Sequence, residues 1–246
     1  MKLLLANPNT TPAITERMAA AARAVAAPGT EIKPATGRLG ASVIASRMEM
    51  TIGDYANLEL VASEGGDCDA VIVASAIDSG LAAIRQMMDV PVIGITEAAL
   101  HTACLVGGRF GLVVSSARTG TILREMVAAY GLTSRLAGIR ATNIEAQYTL
   151  NDPDAVKDAV IRTACALVEE DQTDSVILTS AVMAGMPAQI ADRVPVPVME
   201  GVACAVVLAE ALVRLGLRKA TSGSYARPQG RQVSRLGEAL MRRFAE

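Results

Sequence analysis

The feature that most constrains the fold of this 246-residue chain is an internal repeat with a spacing of 105 residues, from Ser75 to Ser180. The segment Asp69–Ala76 reads DAVIVASA, and it returns at Asp174–Ala181 as DSVILTSA. Gly80 and Gly185 keep the same spacing. Self-similarity at a fixed spacing indicates a repeated structural unit. The repeat therefore predicts two similar halves.

Short apolar runs alternate along the chain with longer helical patterns. Six runs rich in Val, Ile and Leu show no polar alternation, which is typical of parallel strands covered on both faces: Leu3–Ala6, Ala70–Ala74, Val92–Ile95, Gly111–Val114, Ser175–Leu178 and Val196–Met199. Helical patterns cover Pro12–Val25, Met48–Ser63, Leu81–Met88, Glu97–Val106, Thr121–Ala129, Asp154–Glu170, Val202–Leu215 and a basic tail, Arg231–Glu246. Thr11 is the expected cap of the first helix.

This alternation predicts the α/β class, with two similar Rossmann-like halves of parallel-sheet βα units related by pseudo-symmetry. We expect residues 1–98 and 205–246 to form the first half and residues 99–204 the second. Ligand sites of such sheets lie at the carboxyl ends of the strands. We therefore expect the active site in a cleft between the two halves.

Composition excludes several classes of function. A net charge of -2 and 2% aromatic residues leave no basic face and no stacking platform, so nucleic acid is not an expected partner. Four cysteines without a CxxC pair, together with one histidine, argue against a structural zinc site. Neither GxGxxG nor GxxxxGK[ST] occurs, so we expect no nucleotide cofactor.

The hydrophobic pattern predicts a cytoplasmic protein. The apolar stretch at the start of the chain is too short for a signal peptide, and no run of about 18 apolar residues offers a membrane span. Well-spaced cysteines fit reduced thiols in the cytoplasm. Because the helices are apolar and rich in Ala, we expect a homo-oligomer. We expect its partner to be a small-molecule substrate, and neither a membrane nor nucleic acid.

Ser75 and Ser180 follow equivalent strands at equivalent places. Two polar groups facing a planar ligand from opposite sides could carry out a two-base proton transfer. Alternatively, each serine could cap the helix that follows it. Ala76 and Ala181 are small enough for main-chain amides to reach a ligand. A fainter repeat aligns two polar turns that could supply further donors, and these are Asn9-Thr10 and Ser115-Ser116.

Several of these motifs occur together in one known group of enzymes. The chain resembles the aspartate/glutamate/hydantoin racemase superfamily, nearest its hydantoin and allantoin racemase branch, over about residues 1–229. The segment at residues 74–81, ASAIDSGL, is similar to that family's ACFGDPGL. The other matching segments are Asn7–Thr10, Val90–His101, Leu178–Met183, Pro197–Val202 and Thr221–Tyr225.

The resemblance implies a cofactor-independent enzyme in which two cysteines exchange a proton at the stereocentre of a small substrate. Those two positions fall on Ser75 and Ser180, and the resemblance also places Glu200 and Gly201 at the site. A serine hydroxyl needs an adjacent base to act at neutral pH. The chain could be a Cys-to-Ser form made to trap substrate, a natural member that only binds, or one with different chemistry. We expect very low racemase activity from it as given.

Four other side chains admit two interpretations each. Arg47 could clamp a substrate carboxylate or pair with Glu49. Asp78 could orient its own loop or act as an acid or base. We expect an ion pair for Arg118 and a satisfied, half-buried position for His101, rather than roles in chemistry. A decarboxylating lyase or cis–trans isomerase on the same scaffold, and a non-catalytic binder of small carboxylates or ureides, remain the alternative functions.

Overall fold

The computed structural model describes residues 1–144, 153–227 and 232–245. The chain divides into two compact units, Met1–Gly94 with Val206–Glu246, and Ile95–Ala205. Each unit contains one four-stranded parallel sheet. The α/β class and the two similar halves are therefore confirmed.

The first sheet has the strand order β2-β1-β3-β4. Its elements are β1 (Lys2–Asn7), α1 (Pro12–Val25), β2 (Glu31–Thr36), α2 (Arg47–Glu64), β3 (Ala70–Val73), α3 (Leu81–Met87) and β4 (Val92–Gly94). Strand β1 lies in the middle, and Leu3, Leu4 and Leu5 are fully buried because helices cover both of its faces. Pro12 occupies the first position of α1, where its missing amide hydrogen costs nothing.

The second sheet repeats this order as β6-β5-β7-β8. Its elements are α4 (Ile95–Val106), β5 (Phe110–Val114), α5 (Ala117–Ala129), β6 (Leu136–Ala141), α6 (Pro153–Asp171), β7 (Ser175–Leu178), α7 (Pro187–Ile190) and β8 (Val198–Glu200). Two further helices follow, α8 (Gly201–Arg214) and α9 (Glu238–Ala245). The core of this unit surrounds Phe110, Leu112 and Leu123, which α4 and α5 help to cover.

Several details of the sequence-based assignment are wrong. Strands β2 and β6 were not predicted, because they are half-buried edge strands with polar residues. The strand expected from Val196 begins at Val198 and includes Glu200. The last helix begins at Glu238 rather than at residue 231, and the first and last residues of the predicted helix, 231 and 246, lie outside the described residues.

The predicted position of Thr11 is confirmed. It occupies the N-cap position of α1, but its side chain does not cap the helix. The Thr11 hydroxyl instead donates to the carbonyl oxygen of Ser42 at 2.8 Å.

No helix within the described ranges is long and apolar enough to cross a membrane.

Candidate functional site

Ser75 lies two residues beyond the end of β3 and is only 5% exposed. Its Oγ is 2.9 Å from Oγ of Ser79 and accepts a weak hydrogen bond from the Ile77 amide at 3.5 Å. The turn between Ser75 and α3 is tight, because the Asp78 amide donates to the Ser75 carbonyl oxygen at 2.9 Å. Position 75 is therefore held in a defined, largely buried loop at the carboxyl end of the strand.

Asp78 shapes this loop from within. It is 5% exposed and has a left-handed backbone with φ of 47°, which Asp tolerates better than most residues. Its carboxyl group packs against Gly94 at the end of β4, where a Cβ atom would lie 2.7 Å from Asp78 Oδ2. The glycine at position 94 is therefore required for Asp78 to occupy this place.

The turn after β1 forms a buried polar network beside the same sheet edge. The amide group of Asn7 donates to Asn9 Oδ1 at 3.0 Å and to Thr15 Oγ1 at 2.9 Å. Asn9 Oδ1 also accepts from the amide of Thr11 at 3.0 Å. The Thr10 amide donates to the Ala41 carbonyl oxygen at 3.1 Å. The main-chain amide of Thr10, expected to bind the ligand, is therefore used within the protein.

In the second unit, four of the predicted site residues line one small pocket: Ser180, Ala181, Glu200 and Gly201. Ser180 lies two residues beyond the end of β7, as Ser75 does beyond β3. Its hydroxyl makes no hydrogen bond to any residue that the structure describes. The pocket therefore offers a polar side chain that is free to meet a ligand. Its remaining lining is Ile95, Thr96, Ala99, Ile177, Leu178, Thr179 and Val202.

Glu200 is a buried carboxylic acid at the start of α8. Its two oxygens accept hydrogen bonds from the amides of Val202 at 2.7 Å and Ala203 at 2.8 Å. Burial raises the pKa of the Glu200 carboxyl above its usual range, and the hydrogen bonds from Ala203 and Val202 oppose that rise. Glu200 therefore caps α8, and its buried carboxyl group lies in the wall of the pocket.

The expectation that Ser75 and Ser180 cap the next helix is wrong for both residues. The N-cap of α3 is Gly80, not Ser75. Ser180 precedes a short 3-10 helix, Ala181–Met183, but its side chain makes no capping bond. Ser116, by contrast, caps α5 by accepting from the Thr119 amide at 3.3 Å, so its hydroxyl has a structural partner. Its half-buried neighbour Ser115 lies just after β5.

The two arginines considered as site residues, Arg47 and Arg118, are exposed to solvent. Arg47 is exposed at the first residue of α2. The Glu49 carboxylate accepts from the Ala45 amide at 2.8 Å as part of the helix cap. Arg118 is exposed and makes no ion pair within residues 1–144, 153–227 and 232–245, so the expected pair is wrong.

His101 is also more exposed than expected. Its ring Nδ1 lies 2.9 Å from the Glu97 carbonyl oxygen, one turn earlier in α4. The ring meets Tyr130 edge to face, with centroids 6.4 Å apart. Both contacts lie on the outside of the second unit. The expected half-buried position is therefore wrong, although the ring nitrogen does have a partner.

The cysteines do not replace the missing thiols in the two loops. Cys204 lies on α8, four residues after Glu200, and burial raises its pKa to about 11, with a hydrogen bond to Thr102 opposing the rise. Burial also raises the pKa of the Cys68 thiol, which precedes β3. No group of three or more His, Cys, Asp or Glu side chains within the described part of the chain could hold a metal ion.

Two polar residues beside Ser75 and Ser180 were not predicted as site residues from the sequence. Ser79 contacts Ser75 directly, and Thr96 lines the pocket with Ser180 while only 3% exposed. A hydroxyl four residues after Ser75 in a strand-end loop was a usable signal for Ser79. Thr96 gave no such signal, because it lies within a helix whose first turn was not predicted.

Comparison with known proteins gives consistent matches. Residues 3–209 match the family model described as Asp/Glu/Hydantoin racemase. The hydantoin racemase of Paenarthrobacter aurescens is 34% identical over 234 residues, covering 94% of this chain and 99% of that protein. The structure of allantoin racemase from Pseudomonas fluorescens is similar with a TM-score of 0.92 and 37% identity, covering 95% of this chain and 99% of that one. Allantoin racemase from Klebsiella pneumoniae gives a TM-score of 0.94 and 34% identity, covering 98% of each chain.

Proposed function

Because the chain belongs to the Asp/Glu/hydantoin racemase family, we propose that its scaffold serves cofactor-independent proton transfer at the stereocentre of a small hydantoin, ureide or amino-acid-like substrate. One observation carries the proposal. Ser75 and Ser180 occupy equivalent strand-end loops, each two residues beyond a buried strand. In this scheme the side chain at one position removes the substrate proton, and the side chain at the other returns one. The cleft expected between the halves stays a prediction.

The two serines make the chain a poor catalyst as it stands. A hydroxyl transfers a carbon-bound proton at neutral pH only when a stronger base activates it. Ser75 contacts Ser79 and the Ile77 amide, and neither is a base. The Ser180 hydroxyl bonds to no described residue. A thiol is far closer to a working base, with an ordinary pKa near 8.5. We therefore propose that cysteine at both positions restores the family's activity.

Glu200 supports an uncharged substrate. Its carboxyl group lies in the pocket wall and already uses both oxygens on the amides at the start of α8. A helix N-terminus attracts anions when it is free, but here the Glu200 side chain occupies it. The amides of Val202 and Ala203 are therefore not available to the carboxylate of a substrate. We therefore favour a neutral cyclic amide, such as a hydantoin or allantoin, over aspartate or glutamate.

The experiment compares four variants, S75C, S180C, S75C/S180C and S175C, by following deuterium wash-in from solvent at the stereocentre of hydantoins, allantoin and aspartate. S175C is the matched control, since Ser175 is buried in β7 and outside both loops. The double variant should exchange and racemise. Each single variant should label only the enantiomer whose proton faces its thiol. Absence of wash-in with the double variant on every substrate would refute the racemase proposal.

Two other outcomes identify the alternatives. Decarboxylated or isomerised products from malonates or maleate would assign lyase or cis–trans isomerase chemistry to the scaffold. Calorimetric binding of a ureide or carboxylate without turnover, even in S75C/S180C, would indicate a binding protein. The cytoplasmic location and homo-oligomeric assembly stay predictions, and light scattering of the purified protein measures the second directly.

A further inference from the structure

Ser79 is the one side chain that hydrogen-bonds Ser75 among the residues described. The two Oγ atoms are 2.9 Å apart, and the two residues are 5% and 1% exposed. A hydroxyl can donate or accept, so it can follow a change in protonation at its neighbour. A buried bond of this kind is not in competition with solvent. Ser79 is therefore placed to influence whatever proton chemistry occurs at position 75.

The surrounding backbone fixes Ser79 in this place. Its neighbours Asp78 and Gly80 both have left-handed backbones, with φ of 47° and 74°, so the chain turns sharply on each side of it. Its carbonyl oxygen accepts a hydrogen bond at 2.8 Å from the amide group of Asn57, which is fully buried on α2. Gly53, one turn earlier on α2, lies beside the hydroxyl, since a Cβ atom there would be in ordinary van der Waals contact with Ser79 Oγ at 3.5 Å.

The second half of the repeat has no such hydroxyl. The spacing that aligns Ser75 with Ser180 aligns Ser79 with Ala184. The Ser180 hydroxyl accordingly has no hydrogen-bond partner within the described part of the chain. The two positions that the repeat makes equivalent therefore differ in their local chemistry.

We propose that Ser79 is a positioning residue for proton transfer at position 75, where its hydroxyl donates a hydrogen bond to the deprotonated side chain. The inference rests on the proposed function, which makes position 75 one of the two acid/base positions. When the substrate C–H bond breaks, its proton goes to the side chain at position 75 and its electron pair stays on the substrate carbon. The side chain at position 180 then supplies the proton of the new C–H bond. Ser79 keeps its own proton throughout.

The physical effect is a bias between the two positions. A hydrogen bond to the charged form of an acid favours that form. Ser79 therefore lowers the pKa of a thiol at position 75 and favours its role as the base in the resting protein. Position 180, which has Ala184 in place of a donor, retains its proton more readily and is suited to act first as the acid.

The test measures thiol acidity in the S75C/S180C protein by the rate of iodoacetamide alkylation against pH, resolved for each position by peptide mass spectrometry. The same measurement is made after adding S79A, S79T or S175A. S79A should slow alkylation at position 75 about tenfold at pH 7, the order expected for losing one hydrogen bond to a charged group. The midpoint of the pH profile at position 75 should move upwards, while position 180 stays unchanged.

S79T and S175A separate this effect from a general change in structure. S79T keeps a hydroxyl and should preserve most of the reactivity at position 75. S175A removes an equally buried hydroxyl that has no hydrogen-bond partner among the described residues, and it should change neither thiol. Equal rates with and without S79A, or equal slowing at both positions, would overturn the inference. If S75C/S180C shows no deuterium wash-in but S79A still slows alkylation at position 75 alone, the proposed function fails and the Ser79 contact stands.

Discussion

Replacing Cys204 should make the free energy of unfolding of this protein less sensitive to alkaline pH. Burial raises the pKa of the Cys204 thiol from 9.0 to about 11. A folded-state pKa above the unfolded value means that the contribution to stability is complete below pH 9 and is lost as pH rises through the folded pKa. The window for this effect is therefore pH 9 to 11.

The magnitude follows from the two pKa values. At pH 10 the unfolded thiol is mostly ionised and the folded thiol is mostly protonated, so the free energy of unfolding falls by about 1.4 kcal/mol relative to pH 7.5. Above pH 11 the loss approaches about 2.7 kcal/mol. Alanine or serine at position 204 has no proton to lose, so both C204A and C204S should lack this contribution.

Urea unfolding of the parent protein, C204A and C204S at pH 7.5 and pH 10 measures the contribution of the Cys204 thiol to the free energy of unfolding. Other titrating groups cancel, since each variant is compared with the parent at the same pH. The two variants can differ in stability at pH 7.5, because only serine can keep a hydrogen bond with Thr102. The stability gap between the parent and each variant should nevertheless shift by the same amount on going to pH 10.

An unchanged gap would refute the reasoning. It would mean that Cys204 ionises in the folded protein as readily as in the unfolded chain. Cys204, which lies four residues after Glu200, would then become a candidate base. The expected result instead leaves this thiol protonated at neutral pH, so that thiolate chemistry requires cysteine in the two loops.

Two stability predictions concern single buried contacts, and thermal or urea unfolding measures both. E210A should lower the free energy of unfolding by about 2 kcal/mol, because Glu210 Oε1 accepts from the Ala27 amide at 2.9 Å and from the Thr30 hydroxyl at 2.6 Å. Parent-like stability in E210A would show that water replaces the carboxylate without cost. G94A should destabilise by about 1 to 3 kcal/mol, since its new Cβ would lie 2.7 Å from Asp78 Oδ2. Adding D78A should recover part of that loss, and no recovery would contradict the assigned contact.

The central strands were predictable because burial on both faces leaves a distinctive record in the sequence. Leu3–Ala6 and Ala70–Val73 are apolar at every position and fully or almost fully buried. The half-buried edge strands β2 and β6 have no such apolar run. Glu31–Thr36 includes Glu31, Lys33 and Pro34, which an edge tolerates because one side of its ladder is unpaired. The apolar pattern therefore finds the central strands and also β4 and β8 at one edge of each sheet, and it misses the half-buried strands β2 and β6 at the other edge.

The candidate site was predictable at the level of loops and not at the level of contacts. Equivalent strand-end positions identified Ser75 and Ser180 from the repeat alone. Whether a serine there caps a helix depends on where the next helix begins, and that depends on one or two residues of turn geometry. Gly80, with a left-handed φ of 74°, delays the start of α3 until Leu81 and leaves Ser75 outside the helix.

The repeat and the structure together show that the two strand-end loops have unequal surroundings. Duplication gives both loops the same strand, the same offset and the same serine. A racemase must nonetheless hold one acid and one base at any moment, which two identical environments do not specify. In the first unit the Ser79 hydroxyl shares a hydrogen bond with Ser75, and in the second the aligned Ala184 has no hydroxyl to offer Ser180. Under the proposal made above, this difference between one hydroxyl and one methyl group favours the deprotonated form at position 75.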